Sequence, residues 1–243
     1  MAKFIINLLL FLPFVFYGFF GIGAREKSVQ SPVFIPISEA QMIGLDKQSR
    51  EFIREYGPTV QRYALKYNVD WRLALAVMKK ESRFHPLAES YRGAEGLMQI
   101  MPVTQEQIAG ELGLETEDFD HPHMNIKGGI YYLAKIYRSF DGQKLSRENR
   151  IKLTLAAYNA GTGRISDART MSSYMNDNPS KWSSVKNALS LLSRKYSSLH
   201  QHVWDNGHPP NGYFTQWKQT TNYVDNVWTY YEEFSKVLPN DKI

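Results

Sequence analysis

The sequence predicts an all-α domain, and three observations carry that prediction. Apolar residues recur with a period near 3.6 along most of the chain beyond Asp46. Period-2 runs are nearly absent, so any strand is confined to a short hairpin. Helix start signals precede several of the apolar periods. At 243 residues with no cysteine, the chain suits one domain, or one domain with an extension, and its core needs no disulfide staple.

The elements follow in order. Lys3 and then the apolar run Phe4 to Ile22, closed by Gly21, Gly23 and Ala24, read as a secretory leader with cleavage after Gly23 or Ala24. The run is also long enough for a retained membrane anchor, so residues 1–24 are a signal peptide or an anchor, and the chain is exported either way. Residues 25–45 are polar and broken by Pro32 and Pro36, with the apolar patch Val33-Phe34-Ile35 between, and read as a linker. The domain is expected over 46–243. Helical patterns fall at about 47–66, 70–82, 104–112, 125–140, 148–160, 179–195 and 220–237. Asp70 is a good N-cap for the second, Thr104 with Gln107 forms a capping box for the third, and Asn125 precedes the apolar period of the fourth. Gly161 and Gly163 end the fifth, and Asn178-Pro179 supplies N-cap and first turn to the sixth.

Composition narrows the chemistry. Without cysteine there is no thiolate nucleophile, thiolate metal site or Cys-linked lipid. His121-Pro122-His123 and His200-Gln201-His202 lack the i, i+4 spacing and acidic ligand of a zinc hydrolase, and read as surface or loop histidines, so neither metal nor cofactor is expected. The 29 Lys and Arg against 24 Asp and Glu give +5, scattered rather than blocked. A mildly basic surface satisfies this. An anionic wall polymer or membrane surface suits an exported chain better as partner than nucleic acid, which is not expected.

One residue breaks the helical pattern. Ala74, Val77, Met78 and Glu81 stand at i, i+3, i+4 and i+7 and so share a face. Desolvation there would raise the carboxyl pKa and keep a proton available for general-acid work. The bland alternative is a solvated helix-end glutamate, or a partner for Arg83. Downstream, Pro86, Gly93 and Gly96 break the helix before Gly96-Leu97-Met98-Gln99-Ile100-Met101-Pro102. Gln99 lies among apolar neighbours, where its amide either satisfies local backbone or binds a sugar hydroxyl or acetamide. Tyr158-Asn159 ends an apolar helix at Gly161, a place where a tyrosine is commonly core. Among the 33 aromatics, Trp204, Tyr213, Trp217, Tyr223, Trp228, Tyr230 and Tyr231 read mostly as core, with one or two available to stack on sugar rings.

Together these motifs are specific. Glu81-Ser82-x-Phe84, then Ser90-x-x-Gly93-Ala94-x-Gly96-Leu97-Met98-Gln99-x-Met101-Pro102, then Ala157-Tyr158-Asn159-Ala160-Gly161 resembles the family 1 lytic transglycosylases, over about 60 to 235. Ser90 follows Glu81 by nine residues and Gln99 follows Ser90 by nine. The later segments Ile165-Ser166-Asp167-Ala168-Arg169, Pro179-x-x-Trp182-x-x-Val185, Leu189-x-Leu191-Leu192-Ser193 and Gly212-Tyr213 look like the catalytic module of the membrane-bound lytic murein transglycosylase F group. That group also carries an amino-terminal solute-binding-like domain, for which this chain has no room, so the resemblance implies the catalytic module behind a leader and linker.

The resemblance implies a lysozyme-like helical domain of the goose-type and lytic-transglycosylase kind that acts on peptidoglycan glycan strands. It implies Glu81 as the single catalytic acid and base, with Ser90, Gln99, Met101, Tyr158 and Asn159 around the cleft. Thr221-Asn222-Tyr223-Val224 resembles the closing helix whose tyrosine faces the site. Here the sequence departs, since the family often has Glu four residues before that tyrosine and this chain has Gln219. Glu89 and Glu95 lie in the loop after Glu81, and the resemblance gives neither a role. Two alternatives stand beside this reading: a hydrolytic muramidase with water as acceptor, and a noncatalytic wall-binding module.

Overall fold

The computed structural model describes residues 36–239. The leader or anchor expected at 1–24, and the linker as far as residue 35, lie outside the described residues. Within them the chain forms α1 (Lys47–Tyr67), α2 (Trp71–Ser82), α3 (Pro102–Leu112), α4 (Pro122–Arg138), α5 (Arg147–Ala160), α6 (Thr162–Tyr174), α7 (Trp182–Leu191), α8 (Ser197–Val203) and α9 (Trp217–Val237). Among the described residues β-structure is limited to isolated bridges, Glu89 with Glu95 and Glu95 with Ile100. The all-α expectation holds.

The core is built around α2. Every residue from Trp71 to Met78 is buried, and Ala74 to Met78 are fully so. A helix apolar on all sides must be enclosed by others. α9 packs along α2, α5 packs on α9, α1 packs on both α2 and α4, and α6 pairs with α7. The four-residue stripe expected on α2 was therefore an underestimate, because the whole helix is interior and only its last turn reaches a surface.

Polar ties fix how α2 and α9 meet. Asp70 caps α2 by accepting from the Arg72 backbone N–H, and its carboxylate also accepts from the Arg72 guanidinium at 2.7 Å and from the Tyr231 hydroxyl of α9 at 2.8 Å. Arg147 of α5 joins the same carboxylate at 3.0 Å. Burial alone would raise the Asp70 pKa, but the Arg72 and Tyr231 hydrogen bonds outweigh it and hold the carboxyl below its usual range. The end of α9 is secured to the start of α2, with Trp71 Nε1 donating to the Pro239 carbonyl and Arg72 to the Leu238 carbonyl.

Several boundaries differ from the sequence expectation, each for a local reason. α3 starts at Pro102 with Met101 as N-cap, so Thr104 and Gln107 lie inside the helix and form no capping box. Proline at the first helical position needs no N–H partner, which moves the start upstream. α4 likewise opens on Pro122 with His121 as N-cap, and Asn125 is a fully buried residue of its first turns rather than a cap. α7 begins at Trp182, after a turn in which the Ser180 N–H donates to Asn178 Oδ1. Gly161 ends α5, yet at φ 92° it also opens α6, a helix that the two closely spaced glycines conceal in the sequence. Residues 36–45 include a 3-10 turn at Glu39–Met42 and bury Met42 and Leu45 against the domain. His200 is fully buried rather than superficial, its Nε2 held 2.7 Å from the Leu191 carbonyl.

Candidate active site

Glu81 sits on the last turn of α2, where the buried helix emerges. Beyond it the chain reverses sharply, since Arg83 (φ 51°) and Phe84 (φ 62°) both adopt the left-handed conformation. Each such residue costs about 1 kcal/mol. Phe84 offsets this by stacking on Phe52 of α1 at 4.2 Å, and the Gln48 amide donates to the Arg83 carbonyl at 2.6 Å. Arg83 is exposed, and the structure shows no Glu81–Arg83 ion pair among the described residues.

The partner of Glu81 comes from α9 instead. The Tyr223 hydroxyl donates to Glu81 Oε1 at 2.7 Å, across 142 residues of sequence. Tyr223 is 3% exposed, while Glu81 is half-buried on the pocket wall. Burial raises the Glu81 carboxyl to about 7, and the Tyr223 hydrogen bond and the Lys80 charge only partly counter it. Such a group holds its proton in a large share of molecules at neutral pH and can also release it, which a combined acid and base requires. Burial, and next the Glu81 charge, push the Tyr223 and Tyr158 phenols well above their ordinary range, so both remain hydrogen-bond donors.

A cavity of about 550 Å³ opens at this point, lined by Lys80, Glu81, Asn159, Gln219, Asn222, Tyr223 and Asn226. Glu81 is the sole carboxylic acid among these lining residues. Of the loop glutamates, Glu95 Oε2 accepts from Gln105 at 2.9 Å and Glu89 is exposed. Of the residues singled out in the sequence, Glu81, Asn159 and Tyr223 meet in this cavity. Asn159 Oδ1 accepts from the Thr220 hydroxyl at 2.8 Å, which links the end of α5 to α9.

The remaining expected residues shape the neighbouring loop and do not line the cavity. Ser90 Oγ accepts the Ala94 N–H at 2.9 Å and closes the turn through Gly93. Gln99 Nε2 donates to the Ala88 and Gly96 carbonyls at 2.9 and 3.0 Å, which is the backbone-satisfying alternative rather than a free amide. The Tyr158 hydroxyl donates to the Met98 carbonyl at 2.8 Å. Met101 caps α3 with its side chain partly exposed. Asn125, which the sequence presented as a cap, anchors the loop from below, its Oδ1 accepting from Met98 N–H and its Nδ2 donating to the Glu95 carbonyl.

The loop can seat only because of two glycines. Gly96 has φ 73°, and a Cβ there would lie 2.2 Å from Asn125 Nδ2. A Cβ on Gly129 of α4 would lie 2.4 Å from the Met98 side chain. Sequence reasoning missed Lys80, Gln219 as a lining residue, Asn222 and Asn226. The signal was present as amides at i, i+3 and i+7 on α9, a spacing that reads as an ordinary solvated face.

Residues 58–182 match the family model described as the transglycosylase SLT domain. A membrane-bound lytic murein transglycosylase F of Desulfosudis oleivorans is 33% identical over 178 residues, covering 73% of this chain and 36% of the relative. The like-named protein of Pseudoalteromonas translucida is 32% identical over 195 residues, covering 80% of this chain and 37% of the relative. The chain thus spans little more than a third of the length of these relatives. Among solved structures, the 70 kDa soluble lytic transglycosylase of Escherichia coli superposes with a TM-score of 0.55 at 21% identity, covering 80% of this chain and 26% of that one, and shares the fold.

Proposed function

Because the chain belongs to the transglycosylase SLT family, we propose that it is a peptidoglycan lytic transglycosylase in which Glu81 acts first as acid and then as base. The observation that carries this reading is a single carboxyl on the wall of the cavity, raised by burial to about 7 and held by Tyr223. Ordinary glycosidases place two carboxyl groups across the scissile bond. A lyase that closes a ring on its own substrate needs only one.

Protonated Glu81 would donate to the glycosidic oxygen between N-acetylmuramic acid and N-acetylglucosamine. The C1–O bond breaks toward an oxocarbenium-like state, which the substrate's own acetamide captures. Glu81, now a carboxylate, removes the proton from the C6 hydroxyl of the same muramic residue. That oxygen attacks C1, displacing the acetamide oxygen and restoring the N-acetyl group as the 1,6-anhydro ring closes, and Glu81 ends protonated as it began. Tyr223 holds Oε1 throughout, so the proton is carried on the opposite oxygen, Oε2. Ser90, Gln99, Met101 and Tyr158 support the loop that forms the neighbouring wall, and Asn159 offers its amide to a sugar. The substrate lies outside the cytoplasmic membrane, and the apolar run of residues 4–22 supports export, with that run as either a cleaved leader or an anchor. Among the described residues no helix is long and apolar enough to cross a membrane.

Digestion of purified sacculi followed by mass spectrometry tests the reading. The expected products are muropeptides one water lighter than their hydrolytic counterparts. Glu81→Gln should lose at least the roughly 10²–10⁴-fold typical of general acid-base groups. Reducing ends alone would convert the assignment to a muramidase, and binding without any released muropeptide would make it a wall-binding module.

A further inference from the structure

The cavity beside Glu81 is lined by a cation, Lys80, that forms no ion pair among the described residues. Lys79 and Lys80 are consecutive on α2, but their ammonium groups have different company. Lys79 Nζ lies 2.9 Å from Asp46 and 3.6 Å from Glu233, above the rings of Tyr230 and Phe234. Lys80, half-buried, makes no ion pair among the described residues and lines the cavity. Around it stand four amides, Asn159 from the end of α5 and Gln219, Asn222 and Asn226 from one stripe of α9. Asn159 Oδ1 is already engaged by Thr220, so what it offers a ligand is its NH₂ group. The one acid in the lining, Glu81, is protonated when poised to react and then carries no charge to attract a cation. With Glu81 protonated, the lining presents one ammonium and four amides able to donate N–H groups, and no charged carboxylate, which is the complement of a carboxylate on a ligand. A neutral sugar would use the amides but would leave the ammonium without a counter-charge.

We propose that Lys80, backed by the α9 amides, binds a carboxylate of the substrate and sets a preference for acid-bearing over neutral glycan. This rests on the transglycosylase reading for the substrate class. Two groups on a muramic residue have that chemistry: the lactyl carboxylate where no peptide is attached, and a carboxylate of the peptide where one is.

The test is isothermal titration of the Glu81→Gln chain, which does not turn substrate over, with and without Lys80→Gln. Three ligands are compared: a muramic-acid glycan fragment without peptide, the same fragment with peptide, and a neutral N-acetylglucosamine oligomer. Lys80→Gln should weaken at least one acidic ligand by about tenfold, the scale of a charge-assisted hydrogen bond at a half-exposed site. It should leave the neutral oligomer unchanged, and the acidic ligand affected identifies the carboxylate. Lys80→Arg should largely restore binding. Added salt should weaken the acidic ligand only where Lys80 is present, a readout that a merely structural lysine would not give. Unchanged affinity for both acidic ligands, or equal loss on the neutral one, overturns the proposal. Wild-type product analysis separates the two readings. Anhydro product with carboxylate binding indifferent to Lys80 removes this role and keeps the lyase. Reducing ends with carboxylate selectivity retained removes the lyase and keeps this role.

Discussion

Replacing Glu81 by Gln should stabilise the fold at alkaline pH while removing activity. In the folded chain the Glu81 carboxyl is raised to about 7 from an ordinary value of 4.5. Between these values the folded state binds more protons than the unfolded state, so stability falls as pH rises through that window and levels off above it. Each pH unit of separation is about 1.4 kcal/mol, and the whole interval corresponds to about 3 kcal/mol. Water at the open side of the cavity trims this to about 2 kcal/mol. Glutamine has the shape of the protonated acid, can still accept from Tyr223 through its carbonyl, and has no charge to desolvate. Urea unfolding of the wild type and Glu81→Gln should therefore give nearly coincident midpoints near pH 4.5. By pH 8 the variant's midpoint should lie higher by about 1 M, taking a urea slope of about 2–3 kcal/mol per M. A difference between the two proteins that does not change from pH 4.5 to pH 8 would refute the burial argument for Glu81, whatever the variant does to turnover.

Two other outcomes follow from the same geometry. Tyr223→Phe removes the hydrogen bond that lowers the Glu81 pKa, so the alkaline limb of the pH–rate profile should move upward by on the order of half a pH unit; an unmoved or downward-moving limb would show that the contact does not govern the acid. Gly96→Ala sets a Cβ against Asn125 at a positive φ and should cost about 2–4 kcal/mol, seen as a lowered thermal midpoint, whereas Gly110→Ala, with nothing within 4 Å of the added methyl, should not lower it.

The sequence was most legible where one local rule acted alone. Asp70 announced α2, and the face shared by Ala74, Val77, Met78 and Glu81 pointed to a carboxyl held among apolar groups. The all-α class followed from the missing period-2 runs. Legibility failed where tertiary partners overrode local signals. Asn125 has the side chain of a cap, but its amide is used across space on Met98 and Glu95. Gly161 reads as a terminator, and α6 behind it was hidden because one residue serves both helices. Gln99 left two possibilities open, and only the positions of the Ala88 and Gly96 carbonyls choose between them. Tyr223 emerged from the family resemblance rather than from periodicity, which gave it as one more core aromatic. The amides of α9 are invisible without the fold, since only the pairing of α9 with α2 turns a polar stripe into a cavity wall.

The span between Glu81 and Tyr223 also sets when the site comes into being. Their hydrogen bond closes a loop of 142 residues, and contacts so distant in sequence form late because their loop entropy is met only after nearer pairs have assembled. Without α9, Glu81 loses the Tyr223 hydroxyl and the wall of α9 side chains that shields it, and its carboxyl moves back toward its ordinary value. The proton-holding acid thus exists only where α9 is docked against α2. A chain in which α9 is not docked lacks the acid that the proposed reaction requires.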